Sequence, residues 1–218
     1  DQSCYTYLIS DRGAYDTFPL TAGNGSYALQ VLENVAGDTY TVSLAQSINV
    51  SIEDEFLPFL YPNQYVNFHT DSKAVSKGSD LAKDTYSDLD VVQNIYNYVI
   101  KNISYDTEKA QNVSYGYVPD IDDTLSSKKG ICFDYAALMT SMLRSQNIPT
   151  KLEVGYSGDA YHAWISTYID DKGWVDDIIQ FNGNTWQIMD PTLAATNDSA
   201  AVKKYVGDGS HYVVKYTY

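Results

Sequence analysis

From Gly130 the chain reads GICFDYAALMTSMLRSQNIP, and this stretch constrains the fold more than any other. Ala136, Ala137, Leu138, Thr140, Met142 and Leu143 place small and apolar residues at helical spacing, and Asn147-Ile148-Pro149 ends the run. The spacing predicts a helix apolar enough to be buried, with Cys132 at or near its N-terminus. Beyond Pro149 the period changes to two. Lys151–Ser157 and Tyr161–Tyr168 read as strands, Asp170-Asp171-Lys172-Gly173 as a turn, and Asn184–Asp190 and His211–Tyr218 as further strands. Helices followed by a run of antiparallel strands define an α+β fold.

Upstream, residues 1–20 read as a lead-in. Alternation over Ser26–Ile52, interrupted by turn residues at Asn34–Asp38, predicts a β-hairpin or short meander. Leu57–Phe68 should hold a turn and one short strand. Lys73–Lys83 predicts a weakly amphipathic helix, and Leu89–Ile103 a stronger one capped by Ser87 or Asp88. Tyr105–Lys129 is expected to be a long polar loop lining the site. The expected division is a β-rich N-terminal region, residues 1–70, and a core domain, residues 71–218. No repeat or low-complexity tract marks a second independent domain.

Charge narrows the partners. Fourteen basic residues stand against 28 acidic ones, for a formal net charge of −14, a surface that repels phosphate backbones. Nucleic acid is not an expected partner. No apolar run of ~18 residues predicts a membrane span. The start, Asp-Gln-Ser-Cys, reads as a processed or trimmed terminus. Twenty-one tyrosines and sequons beginning at Asn24, Asn49, Asn102, Asn112 and Asn197 suggest a secreted or cell-surface protein. Cys4 and Cys132 permit one disulfide, which would require the N-terminus to fold back over the helix start. The two could equally form a redox or regulatory thiol pair.

A thiol at a helix start is pushed towards thiolate by unpaired N–H groups, and it then needs a base and a group to orient the base. His162 in DAYHAWIS and Asp190 in WQIMDPT are the candidates. On adjacent antiparallel strands they can sit side by side and face the cysteine helix. By spacing alone, a buried free cysteine, a core histidine and a strand-end aspartate account for the three as well. A zinc site on Cys132 and His162 lacks further ligands at suitable spacing, and Asp120–Asp123 lacks the glycine and terminal glutamate of a calcium loop. No metal or organic cofactor is expected. Asp134 is expected to cap the helix.

Three blocks carry a resemblance. Gly-x-Cys-x-Asp-Tyr-Ala with Leu-Arg-x-x-x-Ile-Pro, then His-Ala-Trp, then Trp-x-x-x-Asp-Pro-Thr span about residues 88–193 in that order. The chain resembles the transglutaminase-like superfamily, with its papain-like Cys-His-Asp arrangement. The resemblance implies a nucleophile-bearing helix on an antiparallel sheet, with Cys132 as nucleophile, His162 as base and Asp190 as orienting carboxylate. It also implies a second oxyanion donor upstream, for which Tyr117 or Tyr115 is the choice. Trp164 is expected in the core or walling the substrate groove. Asp176–Gly183 departs from the pattern as an extra stretch that would lie over the site. The implied chemistry is acyl transfer from a peptide or protein amide through a Cys132 thioester. A peptidase or amidohydrolase is favoured over amine transfer. The competing reading is a non-catalytic cell-surface binding or scaffold module that keeps the fold.

Overall fold

A computed structural model describes residues 4–9, 13, 15–170, 172–175, 179–181, 186–188 and 212–218. The chain opens with a long hairpin, β1 (Gly25–Ala36) and β2 (Thr39–Val50), antiparallel with register shifts near Val31 and Asn34. Its two-residue turn uses Gly37 at φ 54°, and the Asn34 side-chain amide donates to the Gly37 carbonyl at 2.7 Å. Both faces of the hairpin are largely exposed, Leu29, Leu32, Val42 and Leu44 included. Leu57–Phe59 form a 3-10 turn, and the strand expected over Leu57–Phe68 is absent, since Pro58 and Pro62 withdraw two ladder donors.

Five helices follow: α1 (Lys73–Leu81), α2 (Asp88–Asn102), α3 (Thr107–Asn112), α4 (Ile121–Ser127) and α5 (Cys132–Arg144). Ser87 caps α2 by accepting from the Asp90 amide, as its sequence position suggests. Between Tyr105 and Lys129 the expected loop is largely structured. Asp106 caps α3, accepting from the Lys109 amide, and Asp120 caps α4, accepting from the Asp122 and Asp123 amides. The acidic run is therefore a set of helix caps rather than solvated loop. Asp122 reaches further and accepts from the Lys73 and Ala74 amides at 3.0 and 2.9 Å, so α4 also caps α1. Short parallel strands β3 (Ser104–Tyr105) and β4 (Lys129–Gly130) tie the exit of α2 to the entry of α5.

Every α5 residue from Asp134 to Arg144 is buried. The helix lies against β5 (Thr150–Ser157) and β6 (Ala160–Ile169), which continue into β7 (Gly173–Val175) in an antiparallel sheet. Two more short strands pair with each other, β8 (Ile179–Phe181) and β9 (Trp186–Ile188). The last, β10 (Tyr212–Thr217), pairs with β5, giving the order β10-β5-β6-β7. This is the α+β arrangement expected: the cysteine-bearing helix on an antiparallel sheet, with a β-rich extension before it. The core joins Val91, Ile95 and Val99 of α2 to Leu138, Met139 and Met142 of α5 and to Leu152, Ala163 and Ile165 of the sheet. Close approach at α1 depends on Gly78, where a Cβ would sit 3.1 Å from the Met142 carbonyl oxygen. Tyr5, Tyr7 and Tyr65 join this core from upstream of residue 70.

Arg144 fixes the far end of α5. Only 3% exposed, it donates from Nε to the Thr150 carbonyl, from Nη1 to Tyr61 and from Nη2 to Tyr218, at 2.9, 2.8 and 2.7 Å. Burial lowers the guanidinium from 12.5 to about 9, still charged at neutral pH. No helix among the described residues is long and apolar enough to cross a membrane.

Candidate functional site around Cys132

Cys132 is the first residue of α5, after Ile131 as N-cap, and it is half-buried. The N–H groups of a first helical turn have no intrahelical acceptor, so this end of a buried helix favours negative charge. Cys4 is exposed, and neither cysteine is in a disulfide. Entry into the helix needs Gly130: a Cβ there would lie 2.8 Å from the Asp134 Cβ.

Asp134 caps the helix as expected, but it also does more. Fully buried, its Oδ2 accepts from the Ile131 amide at 2.9 Å and from the Lys109 ammonium at 2.7 Å, while Oδ1 accepts from the Tyr117 hydroxyl. Lys109 also lies 4.5 Å above the Tyr117 ring. Tyr117, expected as an oxyanion donor, thus spends its hydroxyl hydrogen on Asp134. Burial first, then the hydrogen bond and charge of Asp134 and the charges of Asp123 and Asp120, push its phenol far up. Tyr115, the other candidate, is 86% exposed.

Phe133, the residue after Cys132, packs its ring 5.4 Å from that of Tyr65, and Tyr161 of β6 lies near enough to Cys132 to feel its charge. Burial chiefly, then Tyr216, Tyr156, Tyr65 and Cys132, raise the Tyr161 phenol. The β5–β6 register runs without a shift from Thr150↔Thr167 to Ser157↔Ala160. Alternation gives Tyr161, Ala163 and Ile165 to the face that α5 covers and His162, Trp164 and Ser166 to the reverse face. His162 is 1% exposed, its ring 6.2 Å from Trp164 and 6.3 Å from Tyr212. Trp164 packs 4.8 Å from Tyr212, in the interior rather than along an open groove. On the same face the Ser166 hydroxyl donates to Glu153 at 2.6 Å. The structure therefore packs the cysteine helix on the histidine strand, with Tyr161 rather than His162 on the face that α5 covers. Asp190 lies outside the described residues, as does most of Asp176–Gly183.

Sequence reading missed Lys109 as a member of this cluster. The signal lay in Asp134, an acid two residues after a helix-start cysteine and too deep to stay unpaired.

Comparison with known proteins agrees with this architecture. The family model for the transglutaminase-like superfamily matches residues 76–176. The UPF0252 protein of Methanocaldococcus jannaschii is 30% identical over 118 residues, which are 47% of this chain and 34% of that protein. Kyphoscoliosis peptidase of Mus musculus is 30% identical over 107 residues, 43% of this chain and 16% of that protein. The chain thus spans about a third of the length of the first of these relatives and about a sixth of the second. Among solved structures, the periplasmic domain of TgpA from Pseudomonas aeruginosa shares the fold at a TM-score of 0.50, with 18% identity over 71% of this chain and 50% of that one. From α1 through β7, residues 76–176, the chain is similar to the core of the transglutaminase-like superfamily.

Proposed function

We propose that this protein performs thiol-dependent acyl chemistry on peptide or protein amides, with Cys132 as nucleophile. The observation that carries the reading is Cys132 itself: a half-buried free thiol on the first residue of the buried central helix of a transglutaminase-like core. The thiolate attacks the amide carbonyl, the amine departs with a proton from the imidazolium of His162, and a thioester remains on Cys132. Water or a second amine then resolves the thioester, His162 taking the incoming proton. Asp190 holds the imidazole in its tautomer. The Cys132 backbone N–H contributes to holding the oxyanion. Hydrolysis is preferred to amine transfer, as it asks less of the acceptor side, and the peptidase among the relatives is in keeping with this. We place the activity outside the cytoplasm, from the sequons and the tyrosine-rich composition.

The pairing makes a geometric demand. His162 must reach the thiol past the outer edge of β6, which among the described residues β7 borders only from Thr167 to Ile169. Iodoacetamide labelling at mildly acidic pH tests this, with exposed Cys4 as the internal reference. Cys132 should react far faster than Cys4, and His162→Ala should abolish the difference. Equal, slow labelling of both thiols would refute the enzyme and favour a binding module. Fast labelling unaffected by His162→Ala would refute the base. Peptide-library profiling with water and amine acceptors then separates hydrolase from transferase.

A further inference from the structure

The buried carboxylate of Asp134 creates a problem for a reactive cysteine. Cys132 and Asp134 stand two residues apart in the first turn of α5, so a thiolate and a carboxylate draw on the same N-terminal field even though i,i+2 side chains do not face each other. Other acids stand close: Asp120 and Asp123 act on Tyr117 from the start of α4, and Asp106 caps α3. Tyr65 packs on Phe133 and Tyr161 acts on Cys132 from β6, both with phenols raised above their ordinary value by burial, and His162 lies on β6 next to Tyr161. Against these acids, α3 delivers an ammonium, with Lys109 Nζ 2.7 Å from Asp134 Oδ2 and over the Tyr117 ring. Both Asp134 oxygens are thereby engaged, one by a full positive charge.

We propose that Lys109 is a positioning residue for the nucleophile: by neutralising Asp134 it allows Cys132 to ionise beside a buried carboxylate, and with Tyr117 it holds α3 and the 113–119 loop against the thiol end of α5. The inference rests on Cys132 being the reactive thiol. Lys109 touches no reacting atom. It acts through Asp134, and its effect belongs in the ionisation of the thiol rather than in substrate binding.

The test is the pH profile of Cys132 alkylation by iodoacetamide in the intact chain, with Cys4 labelling as reference and thermal melting as a check on folding. Lys109→Met should move the profile to higher pH, slowing Cys132 about tenfold below its midpoint, the effect of a single pKa unit. Lys109→Arg keeps the charge and should restore most of the rate. In Lys109→Met/Asp134→Asn, no carboxylate needs a cation, and the profile should return towards that of the parent. A merely structural Lys109 would leave the double variant no better than the single one. That result, or an unshifted profile in folded Lys109→Met, overturns the proposal. Should Lys109→Met not fold, Asp134→Asn alone decides: the unpaired ammonium should shift Cys132 to lower pH, and no shift overturns the proposal. If the parent's Cys132 titrates like Cys4, the nucleophile reading fails with it, an outcome distinct from every other.

Discussion

Replacing Arg144 by methionine isolates what anchors the helix that carries Cys132. Methionine keeps the length and apolar stem of the side chain but supplies no donor. Three backbone carbonyls, those of Thr150, Tyr61 and Tyr218, then lose the Arg144 donor at 2.9, 2.8 and 2.7 Å, although Tyr218 keeps the Leu152 amide at 2.9 Å. Each stranded acceptor costs about 1–3 kcal/mol. Against this stands the burial of the charge. The lowering of the guanidinium from 12.5 to about 9 corresponds to a penalty on the order of 5 kcal/mol, which the variant escapes. Charge-assisted bonds at about 1.5–3 kcal/mol each outweigh that penalty only because the fork makes three of them. Set against each other, these ranges leave a net expected loss of up to about 4 kcal/mol, or up to roughly 16 °C in melting temperature for a chain of this size. Urea unfolding followed by circular dichroism measures it. Arg144→Lys keeps a charge on a similar stem but cannot present a planar fork to three carbonyls, so it should recover little of the loss. A methionine variant as stable as the parent, or a lysine variant equal to it, would refute the fork as the anchor.

Two further outcomes follow from burial. Tyr7, Tyr117, Tyr135 and Tyr218 have phenols raised above the ordinary 10.0, burial being the largest cause in each. The folded state therefore holds its protons more tightly than the unfolded one, and stability present below pH 10 is lost as pH rises further; the near-ultraviolet tyrosinate signal should show a late step coincident with the loss of helical circular dichroism, and a smooth titration of all tyrosines before unfolding would contradict this. Excising residues 26–49 and closing the gap with a short glycine-serine turn should leave the melting temperature of the core within a few degrees, because the hairpin strands are paired with each other and largely exposed; truncating all of residues 1–70 should destabilise it severely, because Tyr5, Tyr7, Tyr65 and Val66 are packed into the core.

Legibility of the sequence followed how local each signal was. Helix α5 announced itself through apolar spacing and the Asn147-Ile148-Pro149 stop, and β5 and β6 through the change to a period of two after Pro149. Between Tyr105 and Lys129 the same reading saw only polar residues. Helices α3 and α4 are too short for a face to show in their composition, and their signal lies in Asp106 and Asp120 as caps. The second role of the acidic run, Asp122 closing the start of α1, joins residues far apart in sequence and has no local mark. The same holds for Lys109: a lysine in a six-residue helix reads as solvated until Asp134 is placed opposite it. On β6 the identity of His162 was plain. Which face it took was not, since both faces of that strand are buried and alternation marks the core face only where the other face meets water.

Helix α5 joins two requirements that usually conflict. On the proposed reading, a reacting thiol stands at a helix terminus, where backbone groups remain open to a substrate, yet a terminus is the part of a helix most prone to fray. Here fraying is opposed from both ends by charges that face no bulk solvent. At the C-terminal end Arg144 locks three carbonyls. At the N-terminal end Asp134 locks the Ile131 amide and is itself held by Lys109 and Tyr117. Neither arrangement is the cheapest way to stabilise a core, since apolar residues of similar volume often serve as well or better. Each does what apolar packing cannot, fixing the direction and axial position of the helix through hydrogen bonds of defined geometry. For a nucleophile that must meet a carbonyl carbon at bonding distance, an error of about 1 Å costs on the order of a hundredfold in rate. If Cys132 is the nucleophile proposed above, the two buried charges set where its sulfur sits, with stability a secondary gain.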